Sequence, residues 1–242
     1  MRCDPNDDSQ TYCDLTELPD PAASTDEICN GIDDKCNGQI DEGVVDEMVH
    51  VVDTGLDFWM YIYETSRPDA SLSDPEARSA RACSNTGVLL WSNVSWTDAS
   101  IACIAAGKRL CTEDEWQLGC EGLAQNTYPY GSVYEPGACN GADLDPDCSG
   151  LDDDVVAVTG ALHGCDGSPA LCQSGFGTLD MSGNLMEWRS SEMSPSSDIY
   201  LVRGGAYGNI EGGLSCQFNF ISVELDFQYG NLGLRCCSDD AP

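Results

Sequence analysis

Apolar and polar positions alternate through DFWMYIYETS (residues 57–66), the pattern of a strand with one buried face. The period changes in NVSWTDASIACIAAGK (93–108). There Trp96, Ala99, Cys103 and Ala106 recur on one helical face, Ser95 stands at the N-cap, Asp98 closes a capping box and Gly107 stops the helix. CTEDEWQLGCEG (111–122) repeats the device, with Thr112 as cap and Glu115 three residues on. From Tyr128 to Gln173 the chain is rich in Gly, Asp and Cys and has little periodicity. A loop of that length inside a compact domain needs ties, such as metals or disulfides. Candidate strands resume at YLVRGGAY (200–207), LSCQFNFISV (214–223) and NLGLRCC (231–237). Two early helices followed by a mostly β, loop-rich remainder predict an α+β domain without a long internal repeat.

Composition divides the chain into three parts: an acidic N-terminal tail or linker (1–27), a short Cys-bounded acidic loop (28–44) and a globular domain (45–242). The tail has too few large apolar groups to fold alone, although Cys3 and Cys13 could staple it. Among the 242 residues, 42 acidic ones face ten basic ones, for a formal net charge of −32. A surface of that sign repels phosphate backbones and anionic membranes, which excludes nucleic-acid binding as a function class and favours cations. Fifteen cysteines, in spacings unlike ferredoxins or zinc ribbons, read as a disulfide framework built in an oxidising compartment. No apolar run reaches membrane-spanning length, so the expectation is an extracellular or cell-surface protein whose export signal precedes this numbering. The odd cysteine count leaves one thiol free or paired between chains.

The loop ICNGIDDKCNGQIDEG (28–43) has the oxygen-rich character that holds a hard cation. Counting from Asp33 as position one, Asn37 falls at five, Gly38 at six, the Gln39 carbonyl at seven and Asp41 at nine of an EF-hand-type loop. Lys35 occupies position three, where a carboxylate is expected, and no Glu stands at twelve. The stretch resembles the Cys-flanked metal-binding repeats of secreted bacterial surface proteins, a family first associated with copper. On that reading Cys29 and Cys36 close the loop. The alternative is an acidic turn without an ion.

Within the globular part, VSWTDASIACIAAGKRLCTEDEW, TYPYGS, FGTLDMSGNLMEW, LVRGGAYGN and NLGLRCC follow one another in order. Together they resemble the formylglycine-generating enzyme (sulfatase-modifying factor) domain, a variant of the C-type-lectin-like fold, over roughly residues 45 to 237. The resemblance implies disulfides Cys103–Cys236 and Cys120–Cys216. It implies calcium ligands at the Asp180 side chain, the Gly183 and Leu185 carbonyls and the Glu187 carboxylate. A second, more loosely aligned site involves Asn140 with an acid among Asp152, Asp153 and Asp154. Spacing alone suggests the local pairs Cys139–Cys148 and Cys165–Cys172, which leaves Cys83, Cys111 and Cys237 with the odd thiol among them.

The family's oxidase chemistry needs two copper-binding cysteines five residues apart, just after an RGGSY segment. Here GGAYGNIEGGLSCQ contains no cysteine before Cys216, already the implied partner of Cys120. The iron-dependent branch of the superfamily uses histidines, and this chain has only His50 and His163. What remains is display of a rigid surface, with Tyr207, Asn209, Ile210 and Glu211 at the position where superfamily binding modules contact ligands. The expected function is an exported, calcium-binding, non-catalytic surface protein that binds a protein partner or assembles with itself. Glycans stay open as ligands, but the sugar motifs EPN, QPD and WND are absent. The alternatives are a formylglycine-generating-type copper oxidase using another pair, such as Cys236-Cys237, and a metal-scavenging surface protein.

Overall fold

A computed structural model of the chain describes residues 2–4, 7–12, 27–35, 38–77, 79–145, 155–160, 172–192 and 199–242. Strands β1 (Arg2–Asp4) and β2 (Asp7–Tyr12) pair antiparallel inside the stretch whose composition reads as a tail. Cys13, the expected partner of Cys3, lies outside the described residues. The alternating run predicted as a strand becomes β4 (Leu56–Tyr61), hairpinned to β3 (Met48–Asp53) through Thr54 and Gly55. Gly55 takes a φ of 98°, a left-handed value that favours glycine.

Both helices form where their caps place them. Helix α1 (Trp96–Ala105) starts at Ser95, whose hydroxyl accepts from the Asp98 amide at 3.1 Å. The capping box expected there is half made. The Ser95 hydroxyl donates to the Asp98 carboxylate at 2.8 Å, a side-chain contact in place of the one to the Ser95 backbone. Ala99, Ala102 and Cys103 are buried on its inner face, whereas Ile101 and Ile104 face outwards. Helix α2 (Glu113–Glu121) carries a complete box: the Thr112 hydroxyl accepts from the Glu115 amide at 3.3 Å and the Glu115 carboxylate accepts from the Thr112 amide at 2.8 Å.

Strands β5 (Arg109–Leu110) and β10 (Cys236–Ser238) complete an antiparallel sheet of order β3-β4-β10-β5. A second sheet, of order β8-β7-β6-β9, contains β6 (Met186–Glu192), β7 (Ile199–Arg203), β8 (Phe220–Glu224) and β9 (Leu232–Leu234), with β6 and β9 parallel. The sequence pattern did not reveal β6, because one of its faces carries buried Glu187 and Arg189. One core packs α1 with Tyr61, Trp91, Trp188 and Leu234; the other packs α2 through Trp116 onto Phe58, Met60 and Met181. Burying aromatic side chains of this size supplies the main favourable term for a loop-rich chain.

Five disulfides lie among the described residues: Cys29–Cys83, Cys103–Cys236, Cys111–Cys237, Cys120–Cys216 and Cys139–Cys172. Two are the pairs the resemblance implies. Three correct the local reading. Cys29 bonds Cys83, not Cys36, because its segment packs on the domain, where Asn85 donates to the Cys29 carbonyl at 2.8 Å. Asp46 reinforces that attachment through Arg81 at 3.1 Å and Lys108 at 2.6 Å. Cys139 and Cys172 bond each other, so neither Cys139–Cys148 nor Cys165–Cys172 forms. The cause is tertiary: Cys172 is held beside the 180–183 turn, where its carbonyl accepts from the Asp180 amide at 2.9 Å and its sulfur lies against the Ser182 carbonyl. Cys83, Cys111 and Cys237 are all bridged, so none of them is the odd thiol.

Candidate functional site

Segments far apart in sequence meet around the turn 180–187. Asn184 is the hub, in a left-handed conformation with φ 58°. Its amide nitrogen donates to Glu64 at 2.6 Å, and its amide oxygen accepts from Asn140 at 3.0 Å and from the Ala157 backbone at 2.9 Å. Its carbonyl accepts from the Tyr207 amide at 3.1 Å, and its own amide donates to the Asn140 carbonyl at 2.7 Å. Gly183 (φ 78°) lies so close to that carbonyl that a β-carbon would overlap it. Polar groups buried this deeply are tolerated because nearly all are paired.

Next to the hub, Glu64, Asp180, Glu187 and Arg235 are all buried. Arg235 uses every donor it has. It reaches Glu187 at 2.9 and 3.0 Å, the carbonyls of Tyr61 and Ile62 at 3.0 and 2.8 Å, and that of Leu179 at 2.8 Å. Glu187 also accepts the Trp116 indole N–H at 2.6 Å. Burial pushes the Glu64 carboxyl well above the usual carboxylate range, and the charges of Asp180 and Glu187 add to the shift. Burial likewise pushes Asp180 up to about 6, against the lowering effects of a Gly160 amide and Arg235.

The four calcium ligands implied by the resemblance therefore fall on one turn, but with unequal freedom. Among the described residues the Asp180 carboxylate accepts a single long bond, 3.3 Å from the Gly160 amide, whereas the Glu187 carboxylate is taken by Arg235 and Trp116. Of the two carboxylates, Asp180 therefore keeps acceptor capacity for a cation, whereas that of Glu187 is engaged. Asn140 turns its amide to Asn184 and to the Val155 carbonyl at 3.0 Å, and Asp152, Asp153 and Asp154 lie outside the described residues. In the N-terminal loop, Asp41 is buried and accepts the Asn30 and Gly31 amides at 2.9 and 3.0 Å. Asp33 accepts the Gly38 amide at 2.7 Å, and Asn37 is outside the described residues. Gln39 lies on the same loop and is exposed; among the described residues no cluster of three or more His, Cys, Asp or Glu suited to a metal occurs. His50 stacks on Trp59 and meets Asp57 at 2.7 Å on the hairpin surface.

The stretch after Gly204-Gly205 forms the other half of the site. Asn209 accepts the Ala206 amide at 2.8 Å through its side chain, and its carbonyl accepts the Ala142 amide at 2.9 Å. Leu214 is buried at the end of a 3-10 turn (Glu211–Leu214), and Ser182 donates to its carbonyl at 2.6 Å. Cys236 and Cys237 are both buried and bridged to other partners, so they do not offer a thiolate pair.

A family profile described as the Sulfatase-modifying factor enzyme 1-like domain matches residues 54–240. The chain belongs to that family. Inactive C-alpha-formylglycine-generating enzyme 2 of Mus musculus is 29% identical over 153 residues, which cover 60% of this chain and 48% of that protein. Formylglycine-generating enzyme of Bos taurus is 29% identical over 176 residues, covering 62% and 44%. The chain thus spans about half the length of the curated relatives it matches. In structure it is similar to CarF, with a TM-score of 0.52 at 16% identity over 79% of this chain and 95% of that one. The fold is the loop-rich, C-type-lectin-like α+β architecture.

In this sulfatase-modifying factor domain, the residues expected to display a ligand surface divide. Tyr207 and Asn209 are half-buried and tied into the fold, whereas Ile210 and Glu211 are exposed. Sequence reasoning missed the aromatic group beside them. Tyr128 stacks on Tyr130 with ring centres 5.5 Å apart and meets Tyr134 at 5.4 Å, and its hydroxyl donates to the Glu211 carbonyl at 3.4 Å. Tyr134 is anchored by Asp143 at 2.7 Å. The repeated tyrosines in TYPYGSVY were the available signal.

Proposed function

We propose that this chain is an exported, non-catalytic member of its family that presents a rigid surface to a protein partner or to another copy of itself. The observation that supports the reading is the 204–216 segment. It has no cysteine before Cys216, and Asn209 and Leu214 occupy it with contacts that hold the fold. The surface offered is half-buried Tyr130 and Tyr134, seated on buried Tyr128, with exposed Ile210 and Glu211, an amphipathic patch of the composition enriched at interfaces. Five buried disulfides fit an oxidising compartment, and among the described residues no helix is long and apolar enough to cross a membrane.

The deciding test is incubation of the purified protein with copper, oxygen and a CxPxR peptide, followed by mass spectrometry of the peptide. No conversion of cysteine to formylglycine is expected, and any such product overturns the reading. Calcium belongs to the same proposal as a stabiliser at Asp180 with the Gly183 and Leu185 carbonyls, all hard oxygen donors. Native mass spectrometry with elemental analysis is expected to find retained calcium and no copper, and EDTA is expected to lower the melting temperature. A chain that retains no calcium and melts identically in EDTA removes the calcium part and leaves the display reading standing.

A further inference from the structure

The chain has only ten basic residues, yet three of its arginines are buried near one another. Glu187 and Arg189 project from the same face of β6, Arg203 ends the adjacent β7, and α2 covers them with Trp116, Glu113 and Gln117. Glu187 is the counter-ion of Arg235, and Glu113 is that of Arg203. Arg189 has no carboxylate partner among the described residues. Among the described residues it donates once, to the Glu187 carbonyl at 3.3 Å, and its guanidinium lies 4.7 Å from the centre of the Trp116 ring. Its Nε and Nη1, and the Nε of Arg203, have no hydrogen-bond partner.

A fully buried cation without a counter-ion is among the most expensive arrangements a protein interior can hold. The Trp116 face offsets part of that cost. A water molecule could satisfy a stray N–H, but it brings no charge. We infer that the unpartnered donors of Arg189 and Arg203 form an internal site for a small monovalent anion of the halide class. Three features select that class. Arg189 has 0% of its surface exposed, which excludes an organic carboxylate or a partner side chain. Both available groups are guanidinium N–H donors, which match a spherical acceptor. Arg189 brings one positive charge with no carboxylate of its own among the described residues, whereas Arg203 and Arg235 are paired with Glu113 and Glu187, so a divalent oxyanion would overshoot it.

The site is tested by melting the intact chain in sodium chloride and in sodium gluconate at equal ionic strength, so that screening of the acidic surface is the same in both. Chloride at about a hundred times its dissociation constant is expected to raise the melting temperature by on the order of 5 °C over gluconate. Arg189→Met, which removes the charge and keeps the apolar stem, is expected to melt identically in the two salts. Anomalous diffraction from crystals grown in bromide supplies a test on the unmodified protein. A peak is expected within hydrogen-bond reach of Arg189 Nε and Nη1. Equal melting of the unmodified chain in the two salts, an undiminished chloride increment in Arg189→Met, or bromide-grown crystals with no peak at Arg189 would each overturn the inference.

Discussion

Replacing Cys103, Cys111, Cys236 and Cys237 together with alanine is expected to lower the unfolding free energy by about 6 kcal/mol, against about 3 kcal/mol for removing either bridge alone. The two bridges join α1 and the start of α2's cap to the adjacent residues of β10, across sequence separations of 133 and 126. While one is intact, the other closes a ring of only about ten residues, which sets the smaller figure. Once both are gone, the C-terminal strand returns to the body only through packing. The total then approaches the whole stability of a typical domain. Urea denaturation of the two double variants and the quadruple variant measures this. A loss below about 2 kcal/mol in the quadruple variant would show that packing already closes these loops.

Arg235→Met is expected to cost about 5 kcal/mol, enough to keep the chain from accumulating in folded form. The guanidinium neutralises Glu187 and also satisfies the carbonyls of Tyr61, Ile62 and Leu179. Methionine fills much of the volume but leaves one buried charge and takes a donor from three carbonyls, of which that of Ile62 keeps the Leu179 amide. Near Glu187 lie Glu64 and Asp180, so loss of the arginine also removes the positive charge that offsets three buried acids. The partner variant Glu187→Gln is expected to be milder, because the amide oxygen still accepts from Arg235 while the local positive charge faces Glu64 and Asp180. Denaturation of both variants, with soluble yield as the first readout, checks the order. An Arg235→Met protein within 2 kcal/mol of the unmodified chain would mean that water reaches these groups.

Both predictions rest on groups that differ in how far they could be read from the chain. The helices are legible because their determinants lie within one turn: Ser95 with Asp98, Thr112 with Glu115, and apolar residues at helical spacing. The bridges of Cys103 and Cys120 follow from the resemblance carried by ordered motifs, and those of Cys29 and Cys139 do not follow from spacing. A sulfur bonds whichever partner the fold brings near, and short rings had no advantage once the loop packed against residues 81–85. Strand β6 was hidden because its buried face carries a carboxylate and a guanidinium, a pattern that reads as solvent-exposed until each charge is seen with its neighbours.

By itself, then, the sequence determined the two helices and the alternating strand at β4, the acidic and disulfide-rich character, the family and the absence of a second cysteine within residues 204–216. All of these are properties of residue type and short-range order. The tertiary structure alone decided that Asn184 would gather Glu64, Asn140 and Tyr207, that Arg235 would claim the carboxylate of Glu187, and that Arg189 would be buried with donors unpaired. Those outcomes depend on contacts between residues up to 174 positions apart, such as Tyr61 with Arg235. A buried charge has no preferred partner until the chain has excluded water from around it.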